Sequence, residues 1–262
     1  MSRVIAVVNQ KGGVAKTTTV ANLGVALAQA GQRCLLVDSD PQGSLTISLG
    51  KDPDSLAGHT LYEAMVLTAD QGGHQPLEVV VVKDLSGVDL VPANLDLAAA
   101  EIDLNSQYAR EYALSRLLAP VRDAYDFILI DCPPQLGILT INALVAADSV
   151  LVPLATNYLS LRGLQLLLRT VRLVQSRLNS GLRIEGLLPT LYDRRTSHHQ
   201  ETLQEVRRVF GQQQIRVFET VIPRSVRFEE SPITGAPAVV YAPNTLGAQA
   251  YHDLVQEVLV NA

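Results

Sequence analysis

At 262 residues, 47% hydrophobic and 18% charged, the chain is long enough to build a single α/β domain over residues 1–262, and no repeat or low-complexity tract divides it. The formal net charge is −5. Cys34 and Cys132 stand far apart with neither CxxC spacing nor histidine company, so the sequence predicts two buried thiols in a reducing compartment. No run of about 18 or more apolar residues has the character of a membrane span. The nearest, Gly137–Ala147, carries Thr140 and Asn142 and stops at Asp148. A first strand beginning near residue 3 leaves no room for a signal peptide, and a cytoplasmic location is expected.

Val4-Ile5-Ala6-Val7-Val8 is a wholly apolar run, the composition of a strand buried on both faces of a parallel sheet. Asn9-Gln10-Lys11-Gly12-Gly13-Val14-Ala15-Lys16-Thr17-Thr18 follows. A helix rich in alanine and leucine then runs over Thr19–Ala28 and ends near Gly31. Strand, glycine loop and helix come in the order that phosphate binding requires. Backbone N–H groups of the loop curl around phosphates, and the helix N-terminus adds its partial positive charge. Lys16 then lies on the β and γ phosphates and Thr17 ligates Mg²⁺ through its hydroxyl.

The next strand, Cys34–Val37, delivers Asp38-Ser39-Asp40-Pro41-Gln42-Gly43, two carboxylates beside a nucleotide site. Phe127–Ile130 is a further strand and ends at Asp131-Cys132-Pro133-Pro134, where an acid closing a hydrophobic strand can hold Mg²⁺. Gly137–Ala143 opens a helix whose start faces the γ phosphate. Ser149–Pro153 leads through Asn157 and Tyr158 into a long amphipathic helix over Leu159–Leu178. Strands are expected at Ile184–Thr190 and Val217–Pro223, and a last helix at Leu246–Val260. Strands alternating with helices give a doubly wound, mostly parallel sheet with helices on both faces, the phosphate loop lying at its carboxyl edge.

Two lysines flanking Gly12-Gly13-Val14-Ala15 resemble the deviant Walker A motif KGGxxKT of the ParA/MinD ATPases, and the DxDPQ segment and Asp131 extend the resemblance to the ParA/Soj group over nearly the whole chain. The resemblance implies an ATPase that uses ATP and Mg²⁺ and forms a homodimer with nucleotide buried between the subunits. Gly12, Gly13, Val14, Ala15, Lys16, Thr17 and Thr18 form the phosphate loop. Lys11 reaches the partner's phosphates; its alternative is a solvated surface lysine. Asp40 positions the attacking water, and Thr17, Asp38 and Asp131 belong to the metal. Pro223, Arg224 and Ser225 border the adenine, or form no more than a helix-start turn. Ala15 stands where the family has glycine. With a negative φ it costs little, and with a positive φ it strains the loop by about 1–2 kcal/mol.

The net charge hides a division. Residues 1–159 hold 9 basic and 17 acidic residues, 160–230 hold 12 arginines and 7 acids, and 231–262 hold 2 acids and no lysine or arginine. Arg162, Arg169, Arg172 and Arg177 ride the long helix, while Arg194, Arg195, Arg207, Arg208, Arg216, Arg224 and Arg227 are read at loops and helix ends. Dispersed arginines suit sequence-independent contact with a phosphate backbone. The resemblance implies nonspecific DNA binding by Arg194, Arg195, Arg224 and Arg227, a ParB-like protein that stimulates hydrolysis, and a place on the nucleoid. The alternative for these arginines is pairing with Glu185, Glu201, Glu205, Glu229 and Glu230.

Two rival functions stay open. A membrane-positioning ATPase of the MinD kind needs a basic amphipathic C-terminus, whereas Tyr251–Ala262 carries acids only, so no membrane partner is expected. A metabolic enzyme or reductase on the same nucleotide site needs further polar or redox residues. The two cysteines argue against an iron–sulfur relative, and the separated Tyr241 and Tyr251 against a tyrosine kinase.

Overall fold

The computed structural model describes residues 2–66, 77–156 and 158–260, and for 158–162 the backbone alone. Asn157 and the side chain of Arg162 lie outside the described residues. In the first half, β1 (Arg3–Val7) leads to α1 (Lys16–Gln29), β2 (Cys34–Asp38), α2 (Ser44–Ser48) and α3 (Leu61–Val66). A hairpin of β3 (Val82–Leu85) and β4 (Val88–Val91) follows, then the short helices α4 (Ala100–Asp103) and α5 (Ala113–Leu118). The second half contains β5 (Phe127–Asp131), α6 (Ile138–Ala146), β6 (Ser149–Ala155), α7 (Tyr158–Arg177) and β7 (Arg183–Thr190). It closes with α8 (Ser197–Gln212), α9 (Arg227–Thr234), α10 (Ala238–Tyr241) and α11 (Leu246–Val260).

The strands form one seven-stranded sheet in the order β3-β4-β2-β5-β1-β6-β7. Every pairing is parallel except β3 with β4. The central strands are apolar throughout because both of their faces are covered. Val4, Ala6 and Val8 enter one core with Ile128, Ile130, Val150 and Val152, under residues of α5, α6 and α7. Ile5 and Val7 enter the other with Leu36, Leu129 and Leu151, under α1 and α11. This two-sided burial positions the loops at the carboxyl ends of β1, β2 and β5 on a rigid base.

The segment Val217–Pro223 does not form the strand expected of it. It runs beside β7 and pairs only at Leu187–Val217 and Tyr192–Pro223. Between those bridges the Glu257 carboxylate takes the backbone N–H groups of Glu219 and Thr220, at 3.1 and 2.7 Å, so these amides do not enter a ladder. Arg207 and Arg208 lie within α8 rather than at a helix end. Both cysteines are buried free thiols, and loss of solvation pushes Cys34 up to about 12 and Cys132 well above the thiol range.

Candidate active site

The loop between β1 and α1 is pinned by the two strands on its far side. Asn9 is buried and donates to the Pro153 carbonyl at 2.7 Å, while its own oxygen accepts the Lys11 N–H at 3.0 Å. Thr190, at the end of β7, donates to the Val14 carbonyl at 3.1 Å. Gly13 and Ala15 both adopt φ 67°, in the left-handed region. Ala15 thus takes the strained alternative, and its carbonyl accepts the Thr19 N–H at 2.9 Å to start α1. No side chain caps α1, so its first-turn N–H groups are left for an anion at the positive end of the helix. Lys16 folds back over the loop, with Nζ 3.4 Å from the Lys11 carbonyl.

Asp38 and Asp131 face one another in register on β2 and β5, both fully buried. Asp131 accepts the Thr17 hydroxyl at 2.7 Å on Oδ2, while its Oδ1 is buried without a hydrogen-bond partner. Asp38 accepts the Thr46 N–H and hydroxyl, each at 2.8 Å, and the Asp40 N–H at 3.2 Å. Burial raises both carboxyls, against the hydrogen bonds they accept. The negative charge of Asp38 raises Asp131 further, and Lys16 partly offsets it. Two buried carboxyls in register, one with an unsatisfied oxygen, could hold a divalent cation together with Thr17.

A cavity of about 400 Å³ opens over the loop. Gly12, Gly13, Ala15, Lys16, Thr17, Thr18 and Asp40 line it. Arg224 and Ser225 also line it. Pro223 is not among the lining residues; its backbone is bridged to Tyr192. Val14 is buried beneath the loop, and Lys11 is not among the side chains lining the cavity.

Sequence reasoning missed Ser44, Pro134, Leu191, Phe228 and Glu229, which complete the lining. Ser44 and Pro134 could have been found, since each adjoins a recognised motif. Leu191, Phe228 and Glu229 come from distant elements and carry no local signal, although Leu191 at φ 53° is a strained non-glycine residue at the rim.

The arginines divide by partner. Arg195 contacts Asp193 at 3.3 Å, Arg227 pairs with Glu230 at 2.8 Å and Arg208 with Glu205 at 2.6 Å. Arg207 pairs with Glu219, and Arg216 with Glu257. Glu185 is held by Arg3, an arginine of the first strand. Arg194 is exposed, and among the described residues it has no carboxylate within ion-pair distance; the same holds for Arg224 at the cavity. No helix among the described residues is long and apolar enough to cross a membrane. α11 buries Ala248, Tyr251, Leu254, Val255 and Val258 in the core, and Tyr251 contacts the Thr19 hydroxyl at 3.2 Å.

A doubly wound sheet with an anion loop on its first strand, and acids closing β5 beside it and β2 beyond, defines a P-loop nucleotide hydrolase. The family model for an AAA domain matches residues 2–184. The sporulation initiation inhibitor protein Soj of Bacillus subtilis is 46% identical over 261 residues, covering 100% of both chains. The chromosome partitioning protein ParA of Caulobacter vibrioides is 42% identical, over 98% of this chain and 94% of its own. A crystal structure named cobyrinic acid a,c-diamide synthase, from Mycobacterium smegmatis with ADP and magnesium, superposes with a TM-score of 0.84 at 43% identity, covering 99% of this chain and 94% of the other. The chain belongs to the ParA/Soj family of partitioning ATPases.

Proposed function

We propose that this chain is a single-domain, ATP-operated partitioning switch in which MgATP joins two copies and the joined pair holds DNA without regard to sequence. The observation that carries the nucleotide reading is the buried Asp131, bound to Thr17 through one oxygen and unsatisfied at the other. Thr17, Asp38 and Asp131 are the residues that would hold Mg²⁺, which when bound neutralises charge on the transferring phosphoryl group. Lys16 and the loop amides orient the β and γ phosphates. Asp40, on the cavity wall, orients the water whose oxygen bonds the γ phosphorus as the bond to the β–γ bridging oxygen breaks. Lys11 reaches the nucleotide of the partner copy.

The arginine-rich second half supplies the DNA contact. Arg194 and Arg195 lead it, since Arg194 has no carboxylate within ion-pair distance among the described residues and Arg224 lines the cavity. A surface ion pair such as Arg195–Asp193 is worth about 0–1 kcal/mol, so a phosphate can displace it. Hydrolysis, stimulated by a ParB-like protein, would end the DNA-bound state on the nucleoid. The name of the M. smegmatis structure suggests an amide-forming synthase as a second reading. Cys34 and Cys132 are buried thiols held protonated, so neither serves as the nucleophile of glutamine hydrolysis.

The test is sedimentation of purified variants in excess MgATP. Asp40→Ala is expected to retain ATP and accumulate as a dimer, while Lys11→Ala binds ATP and stays monomeric. A monomeric Asp40→Ala chain with ATP bound would overturn the role given to Asp40.

A further inference from the structure

Two helices contribute to the cavity lining with their first turns and meet at their far ends. α2 contributes Ser44 to the lining and α9 contributes Phe228 and Glu229. α2 ends at Gly50, whose N–H bonds the Ile47 carbonyl while the Lys51 N–H bonds that of Thr46. α9 ends at Gly235, whose N–H bonds the Ser231 carbonyl. Each glycine closes its helix with a positive φ, 78° and 66°.

Helix termination alone does not account for their contact. A Cβ built on Gly50 would stand 2.8 Å from the Gly235 carbonyl oxygen and 3.3 Å from its Cα, and one on Gly235 would stand 2.9 Å from the Gly50 Cα. These neighbours are backbone atoms, so no side chain can swing aside to make room. Gly31 closes α1 with the same conformation, φ 85°, and a Cβ there would meet nothing within 4 Å.

We infer that the Gly50–Gly235 contact is a clamp that sets the separation of α2 and α9, and through it the fit of the cavity around the nucleotide. Gly50 and Gly235 are positioning residues; neither lines the cavity. Their effect travels along α2 to Ser44 and to Thr46, the two-fold donor to Asp38, and along α9 to Phe228 and Glu229. Lys16, Thr17 and Asp131 sit on α1 and β5, outside the clamped pair. Loosening the clamp should therefore weaken nucleotide binding, and slow hydrolysis to a smaller extent through Thr46 and Asp38.

The inference rests on the nucleotide reading of the cavity, so the experiment separates the two. ATP hydrolysis and binding of a fluorescent ATP analogue are measured for Gly50→Ala, Gly235→Ala, the double variant, Gly31→Ala and Lys16→Ala, each first checked for a cooperative thermal transition. Gly31→Ala carries the conformational strain without the contact. The two clamp variants should raise KM about fivefold or more with a smaller fall in kcat, because small displacements of binding groups are costly. Gly31→Ala should leave both unchanged. The double variant should cost less than the product of the single effects, since both methyl groups disturb one contact. Clamp variants indistinguishable from Gly31→Ala, or a double variant equal to the product, would overturn the clamp. Unchanged affinity in Lys16→Ala would overturn the nucleotide reading instead. If the alanine variants do not fold, Gly50→Asn and Gly235→Asn, with a residue more tolerant of positive φ, replace them under the same criteria.

Discussion

Replacing Ala15 with glycine should stabilise the protein, unlike most changes made in a phosphate loop. Ala15 holds φ 67° and ψ 34° at the start of α1, where an L-residue with a Cβ costs about 1–2 kcal/mol relative to glycine. Glycine gives part of that back, about 0.5–1 kcal/mol, through the greater freedom of the unfolded chain. The net gain is about 0–1.5 kcal/mol, or a rise in Tm of up to about 6 °C for a chain of this size. Calorimetry without nucleotide gives the number directly. The same scan with saturating MgATP shows whether the relief persists when the loop is occupied, because a bound ligand adds its own stabilisation on top. A lower Tm for Ala15→Gly in the nucleotide-free protein would refute the reasoning, since it would mean that the loop does not hold residue 15 in the left-handed region.

Burial raises Asp38 to about 7 and holds Asp131 well above the carboxylate range, so without metal the folded state binds more protons than the unfolded state between the ordinary carboxylate range and neutrality. Stability of the metal-free protein should therefore fall as pH rises through that window, and Mg²⁺ with nucleotide should restore more stability at about pH 7.5 than at about pH 5.5. Thermal scans at the two pH values check this, and a Mg²⁺ effect that shrinks with rising pH would contradict it. Exchanging Arg194 and Arg195 for glutamate should weaken DNA retention without altering ATP-dependent dimerisation. The log–log salt slope should become shallower by about 0.9 for each DNA phosphate that the variant no longer neutralises, measured by filter binding across a salt series.

The centre of the fold is legible because its chemistry is local. Val4–Val8, Cys34–Val37 and Phe127–Ile130 are apolar without alternation, which only strands covered on both faces require, and all three form the middle of the sheet. The phosphate loop and the acids at positions 38, 40 and 131 follow at the ends of those strands. The β3–β4 hairpin is not legible. Its strands are four residues long, β3 carries Lys83 and Asp84 on a solvated edge, and no period develops over that length. Val217–Pro223 misleads for the opposite reason. Its residues suit a strand, but the distant Glu257 side chain claims two of its amides. The rest of the cavity lining is equally nonlocal, since Leu191 follows β7 while Phe228 and Glu229 lie on α9.

Retention of random-sequence duplex DNA, measured with ATP, with ADP and without nucleotide at two salt concentrations, tests the switch most directly. The expected result is binding with ATP alone, indifferent to sequence and sharply weaker at the higher salt. Equal retention in all three nucleotide states, or none in any, would contradict it.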